Sequence, residues 1–124
     1  MGLVIDAHNH IGIRHGARQL GADLVAKMDV TGVDKAVIFP FTEGNFTNDV
    51  IKEESDKFPE RLIPYCAVNP WVEGAVEEVR HCVEDWGFKG LKLHPTINGF
   101  HLSDHGLADP LFAAARALHI PIII

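Results

Sequence analysis

The chain has little that would commit it to an oxidising compartment, a membrane or a nucleic acid. Its 124 residues include only two cysteines, Cys66 and Cys82. That is too few for a disulfide framework, and a reduced, cytoplasmic setting is the default expectation. No stretch approaches the ~20 apolar residues of a membrane span. The opening run Leu3-Val4-Ile5 lacks a basic flank and meets Asp6 at once, unlike a secretory signal. Met1-Gly2 begins a myristoylation pattern, but position 6 is Asp where Ser or Thr is needed. Lysine and arginine form no cluster, and 11 basic against 17 acidic side chains leave a net charge of −6. Both points argue against nucleic acid and anionic membrane as partners. A glycine-rich phosphate loop is missing as well. Where G-x-G-x-x-G would follow a first strand stands "HNHIGIRHG".

What is present is alternation. Apolar residues make up 47% of the chain, enough to bury a core. "LVIDAH" reads as a strand, and "GADLVAKMDVTG" as a helix with Leu20, Leu24 and Met28 on one face and Gly32 as its stop. "KAVIFP" is the second strand, and "NDVIKEESDKFPE" the second helix, closed by Pro59. "LIPYCAVNP" is the third strand. "EGAVEEVRHCVEDWG" is the third helix, striped by Val76, Val79, Val83 and Trp86. "FKGLKLHP" is the fourth strand. Asp109-Pro110 suits the cap and first turn of a fourth helix, striped by Leu111, Ala114, Ala115 and Leu118. "IPIII" opens a fifth strand. The strand ends fall at His10, Pro40, Pro70, His94 and about Ile124, the spacing of βα units in a parallel sheet. An open doubly wound sheet and a (β/α)₈ barrel both fit, and the missing phosphate loop favours the barrel. Four βα units and a strand are about half of one. The first and fifth strands would then be open edges, which template pairing with other chains. Either the polypeptide continues or another chain completes the sheet, and a homo-oligomer through those edges is one expected partner arrangement.

Chemistry in a barrel sits at the C-terminal strand ends and the loops after them. Six of the eight histidines fall there: His8, His10, His15, His94, His101 and His105. His81 and His119 fall on helices. Side chains alternate along a strand, so His8 and His10 share a face, with Val4 and Asp6 behind them. Two imidazoles converging from one strand suit a divalent metal such as zinc. A pair of solvated loop histidines is the plainer alternative. In "FKGLKLH", Leu91 and Leu93 share one face and Lys92 and His94 the other, placing the polar pair inside the barrel, where an unpaired charge is costly. Lys92 could bind a substrate carboxylate, carry a metal-bridging carbamate or snorkel to the rim. His94 could be a ligand, an acid/base group, a substrate contact or a hydrogen-bonded rim histidine. The loop from Pro95 to Ala108 is the longest and could wall a substrate. Arg14, His15 and Arg18 could meet an anion or be solvated. Asp6 reads as a structural acid that could orient a histidine.

Taken in order, "IDAHNHIG", "GFKGLKLHP" and "ADPLFAAARALHIPIII" resemble the amidohydrolase superfamily, specifically its amidohydrolase-related branch with the aminocarboxymuconate-semialdehyde decarboxylase-like enzymes. The resemblance spans nearly the whole chain. It implies that residues 1–124 are the N-terminal part of a single metal-dependent hydrolase barrel domain, covering about strands one to five. It carries His8 and His10 over as ligands of one or two divalent metals, often zinc. It implies a small-molecule substrate and hydrolysis by metal-activated water, or non-oxidative decarboxylation in the same branch. The family's other ligands, on strands five, six and eight, lie outside these residues, so this stretch alone is expected to be inactive. Lys92 stands where some superfamily members carry a carbamylated lysine, a feature this branch generally lacks. Two other readings compete. One is a non-catalytic half barrel that self-associates, with four histidines from two copies. The other is a phosphoesterase of the polymerase-and-histidinol-phosphatase group, which also begins with His-x-His.

Overall fold

A computed structural model describes residues 2–42 and 47–124. The chain forms two compact units, residues 1–65 and 66–124.

In the first unit, β1 (Ile5–Arg14) pairs in parallel with β3 (Lys35–Pro40), and β3 pairs in parallel with β4 (Leu62–Ala67). β1 runs further than its sequence suggests. It turns at His15-Gly16 and pairs antiparallel with β2 (Ala17–Gln19). Both turn residues have positive φ, 49° and 78°, as a two-residue hairpin with the right-handed strand twist requires. "HNHIGIRHG" is therefore a strand and a hairpin, and Arg14, His15 and Arg18 are exposed on it.

The central strand β3 is buried from Ala36 to Pro40. α1 (Gly21–Thr31) lays Leu24 and Met28 into the core and ends where Gly32 adopts a left-handed conformation and donates to the Met28 carbonyl. α2 (Asn48–Lys57) stops ahead of Pro59, because a residue before proline avoids helical geometry. The α2 residue Glu54 is 5% exposed. Its carboxylate accepts the Gly21 N–H at 2.7 Å and the Lys57 ammonium at 2.6 Å. A buried acid is thus spent on the N-terminus of α1, where a negative charge is favourable.

The second unit holds α3 (Ala75–Arg80), β5 (Gly90–Lys92), α4 (Pro95–Asn98), α5 (His105–Ala117) and β6 (Ile122–Ile123). β5 and β6 are parallel, with Leu91 opposite Ile122 and Lys92 opposite Ile123. α3 widens into a π-helical turn at His81–Asp85. Its buried line is Ala75, Val79 and Cys82, with Val76, Val83 and Trp86 at the flanks. The expected stripe is therefore rotated. The expected start of the last helix is also corrected. α5 begins at His105, and Pro110 lies inside it. Proline cannot donate to the carbonyl four residues back, a loss of about 3 kcal/mol in a helix interior. Ala108, Leu111, Ala114 and Ala115 are all buried on the face that offsets it. His105 consequently belongs to a helix, and α4 takes up the start of the loop expected from Pro95 to Ala108.

Candidate functional site

β1 and β3 do not keep one register. Ile5 and Asp6 lie opposite Lys35 and Ala36, but Asn9, His10 and Ile11 lie opposite Ile38, Phe39 and Pro40. One extra residue enters β1 between Asp6 and Asn9, and an odd insertion reverses which face follows. His10 shares the face of Phe39, while Asp6 shares that of Ala36. The expectation that Asp6 sits behind the histidines on one face is therefore wrong. Its Oδ1 accepts the backbone N–H of His8 at 3.2 Å, which holds the bulge.

His8 and His10 do come together. Their Nε2 atoms are 3.3 Å apart. Both rings stand edge-on to Phe39, at centroid distances of 5.0 and 4.8 Å, and His10 stacks on Phe41 at 4.4 Å and 3°. His10 Nδ1 lies 3.3 Å from the Pro40 carbonyl. A carbonyl only accepts, so Nδ1 carries the proton and Nε2 keeps its lone pair. The His10 carbonyl in turn accepts the Gln19 amide at 2.9 Å, and Lys27 donates to Gln19 Oε1 at 2.6 Å. The hairpin thus fixes the backbone under the second imidazole. Phe39, Pro40, Phe41 and Gln19 were not legible as site residues. The signal for the first three was the pairing of two parallel strands that end together.

Zinc–nitrogen bonds of about 2.05 Å place two neighbouring imidazole nitrogens roughly 2.9–3.4 Å apart for angles of 90–110°. The separation in this protein lies inside that range, so the donor pair fits a divalent cation in both chemistry and spacing. Among the described residues no third His, Cys, Asp or Glu joins the pair to form a metal cluster.

The second polar pair lies on β5 and just after it. Leu91 and Leu93 are fully buried, and Lys92 is 3% exposed. Burial pushes the Lys92 ammonium below its ordinary range. His94, half-buried, caps α4. Its Nδ1 accepts the Ile97 N–H at 3.4 Å, and its carbonyl accepts the Asn98 N–H. Asn98 Oδ1 is buried without a hydrogen-bond partner among the described residues.

Three further histidines have local partners. His101 Nδ1 meets Ser103 Oγ at 2.9 Å, His105 meets Asp109 at 3.1 Å, and His81 meets Asp85 at 2.6 Å. His119 lies past the end of α5 with φ 55°.

The amidohydrolase family profile matches residues 5–124. This chain belongs to the amidohydrolase family. None of the curated proteins matches it. Among solved structures it is similar to 5-carboxyvanillate decarboxylase from Novosphingobium aromaticivorans, crystallised with manganese and 3-methoxy-4-hydroxy-5-nitrobenzoic acid. The TM-score is 0.82 at 20% identity over 97% of this chain and 49% of that one. It is similar to 2,6-dihydroxybenzoate decarboxylase from Rhizobium, with TM-score 0.77 at 17% identity over 98% and 49%. It is also similar to 4-oxalomesaconate hydratase from Rhodopseudomonas palustris, with TM-score 0.74 at 19% identity over 98% and 52%. The chain spans about half the length of these structures, and its fold is a partial (β/α)₈ barrel. Among the described residues no helix of this amidohydrolase is long and apolar enough to cross a membrane.

Proposed function

We propose that residues 1–124 are the N-terminal part of one metal-dependent barrel domain, in which His8 and His10 supply two imidazole ligands to a divalent cation. The observation that carries this reading is the 3.3 Å between their Nε2 atoms. The Pro40 carbonyl keeps His10 in the tautomer that offers its Nε2 lone pair. Phe39 stands edge-on to both rings and Phe41 stacks on His10.

A bound divalent cation would act as a Lewis acid and bring the pKa of water towards ~7. The substrate is a small molecule. Hydrolysis is the family's name-giving reaction, and non-oxidative decarboxylation has equal support, because two of the similar structures are decarboxylases. Imidazole donors suit zinc, and manganese is the alternative, since it occupies a similar structure. Two imidazoles fall short of the three protein ligands that a catalytic zinc commonly takes. These 124 residues by themselves are therefore expected to bind metal weakly and to show no metal-dependent turnover.

Equilibrium dialysis against Zn²⁺ and Mn²⁺, with metal counted by mass spectrometry, tests the ligand assignment. Uptake by the wild type that disappears in the double variant His8→Ala, His10→Ala supports it. Equal uptake by both proteins would overturn it, whatever the reaction.

A further inference from the structure

The bulge in β1 leaves the two histidines on a locally irregular stretch of backbone. On its entry side the chain is held by long contacts, Asp6 Oδ1 with the His8 N–H at 3.2 Å and the Asn9 amide with the Asp6 carbonyl at 3.4 Å. The exit side is held more tightly, and by a side chain. β2 pairs with Gly12, Ile13 and Arg14 and no further, with Gln19 opposite Gly12. From that last pair the Gln19 side chain reaches back and donates Nε2–H to the His10 carbonyl at 2.9 Å. Its Oε1 accepts the Lys27 ammonium at 2.6 Å. An ammonium only donates and a carbonyl only accepts, so the amide has one permitted orientation. A flipped amide would set oxygen against oxygen and N–H against N–H. The platform beneath Gln19 is also fixed. Two residues on, the Gly21 N–H is held at 2.7 Å by Glu54, which is 5% exposed. A Cβ at Gly21 would lie 3.0 Å from Glu54 Oε2 and 3.1 Å from Leu62 Cδ1, so α1 begins in close contact with its neighbours.

We infer that Gln19 is a positioning residue for His10: it holds the backbone from which the ring meets the Pro40 carbonyl through Nδ1 and faces His8 through Nε2, and Lys27 acts only by orienting Gln19. The consequence for metal binding rests on the ligand reading of His8 and His10. The consequence for the His10 ring does not.

Nitrogen-15 spectra of the imidazoles test the ring in the 124-residue protein at alkaline pH, with the His10 signals assigned by their loss in His10→Gln. Wild type should show His10 protonated at Nδ1 and bare at Nε2. Gln19→Met, which cannot donate, should show a mixture of tautomers at His10 while the His94 signals stay in place. An unchanged His10 tautomer in Gln19→Met would overturn the assignment, even if that variant melts at a lower temperature. Competition for Zn²⁺ with a chromophoric chelator gives the second reading. Gln19→Met should bind roughly tenfold more weakly than wild type. Lys27→Met should lose less, because Lys27 is exposed and its charge is screened, and Lys27→Arg, which keeps a donor, should restore the affinity. The double variant Gln19→Met, Lys27→Met should be no weaker than Gln19→Met alone. Wild-type affinity in Gln19→Met, or additive losses in the double variant, would contradict the relay. Equal Zn²⁺ binding by wild type and the variant lacking both His8 and His10 would sink the ligand reading instead, and the His10 tautomer in Gln19→Met then decides the positioning role by itself.

Discussion

Two strand ends of this amidohydrolase carry histidines, and the partner of Nδ1 sets them apart. At the end of β1, His10 donates a hydrogen bond from Nδ1 to the Pro40 carbonyl, so its Nε2 offers a lone pair 3.3 Å from the Nε2 of His8. After β5, His94 accepts a hydrogen bond from the Ile97 amide at Nδ1, so in the neutral ring Nε2 carries the hydrogen. One residue type thereby presents opposite hydrogen-bonding faces at the two strand ends. The neighbours reinforce the split. Around the first pair stand the neutral rings of Phe39 and Phe41. Before His94 stands the buried cation Lys92. A histidine in a strand-end motif therefore says little about its role until the group facing its second nitrogen is known.

The largest effect that could break this comparison is on metal binding. His10→Ala should lower Zn²⁺ affinity by roughly 100-fold or more, while His94→Ala should change it by less than about threefold, both read by competition with a chromophoric chelator. Comparable losses would mean that the two histidines do not differ in kind.

Lys92 gives the next largest effect, on stability. Its folded pKa is pushed down from 10.5 by burial. Between the folded and unfolded values the unfolded chain binds more protons, so this group makes stability rise with pH up to about 10.5 and levels off above it. Tyr65 and Cys66, whose folded pKa values are raised, act in the opposite sense. The clean observable is therefore the difference in urea midpoint between wild type and Lys92→Met across that range. The variant should be the more stable near neutrality, and its advantage should shrink as pH rises. A pH-independent difference would show that the ammonium is not desolvated.

Ring packing sharpens the comparison on a smaller scale. Phe41→Ala removes the ring stacked on His10 at 4.4 Å and should weaken Zn²⁺ binding severalfold, about 1 kcal/mol, with the far-UV circular dichroism unchanged. Loss of that signal as well would indicate general unfolding. The smallest effect concerns a region outside both strand-end sites. Hydrogen bonding to Cys82 and burial push the Cys66 thiol up. Neither cysteine should react with a thiol reagent until the protein unfolds. Rapid native labelling would contradict that environment.

The residue pattern alone was enough to place β3 between Lys35 and Pro40, to end α1 at Gly32, and to put His8 and His10 on one face. Each follows from local rules: period-two or helical burial, a left-handed cap, and alternation over two residues. The family was legible too, because its motifs occur in order along the chain and the family profile spans 5–124. The bulge in β1 was not legible, since register is set by the partner strand, and a one-residue slip moved Asp6 to the opposite face. The early start of α5 was not legible either. The buried face that includes Ala108 and Leu111 outweighs what Pro110 forfeits. Above all, no sequence rule assigns an imidazole tautomer. It depends on whether a carbonyl or an amide, brought up by another strand or the next turn, meets Nδ1, and only the tertiary structure decides that.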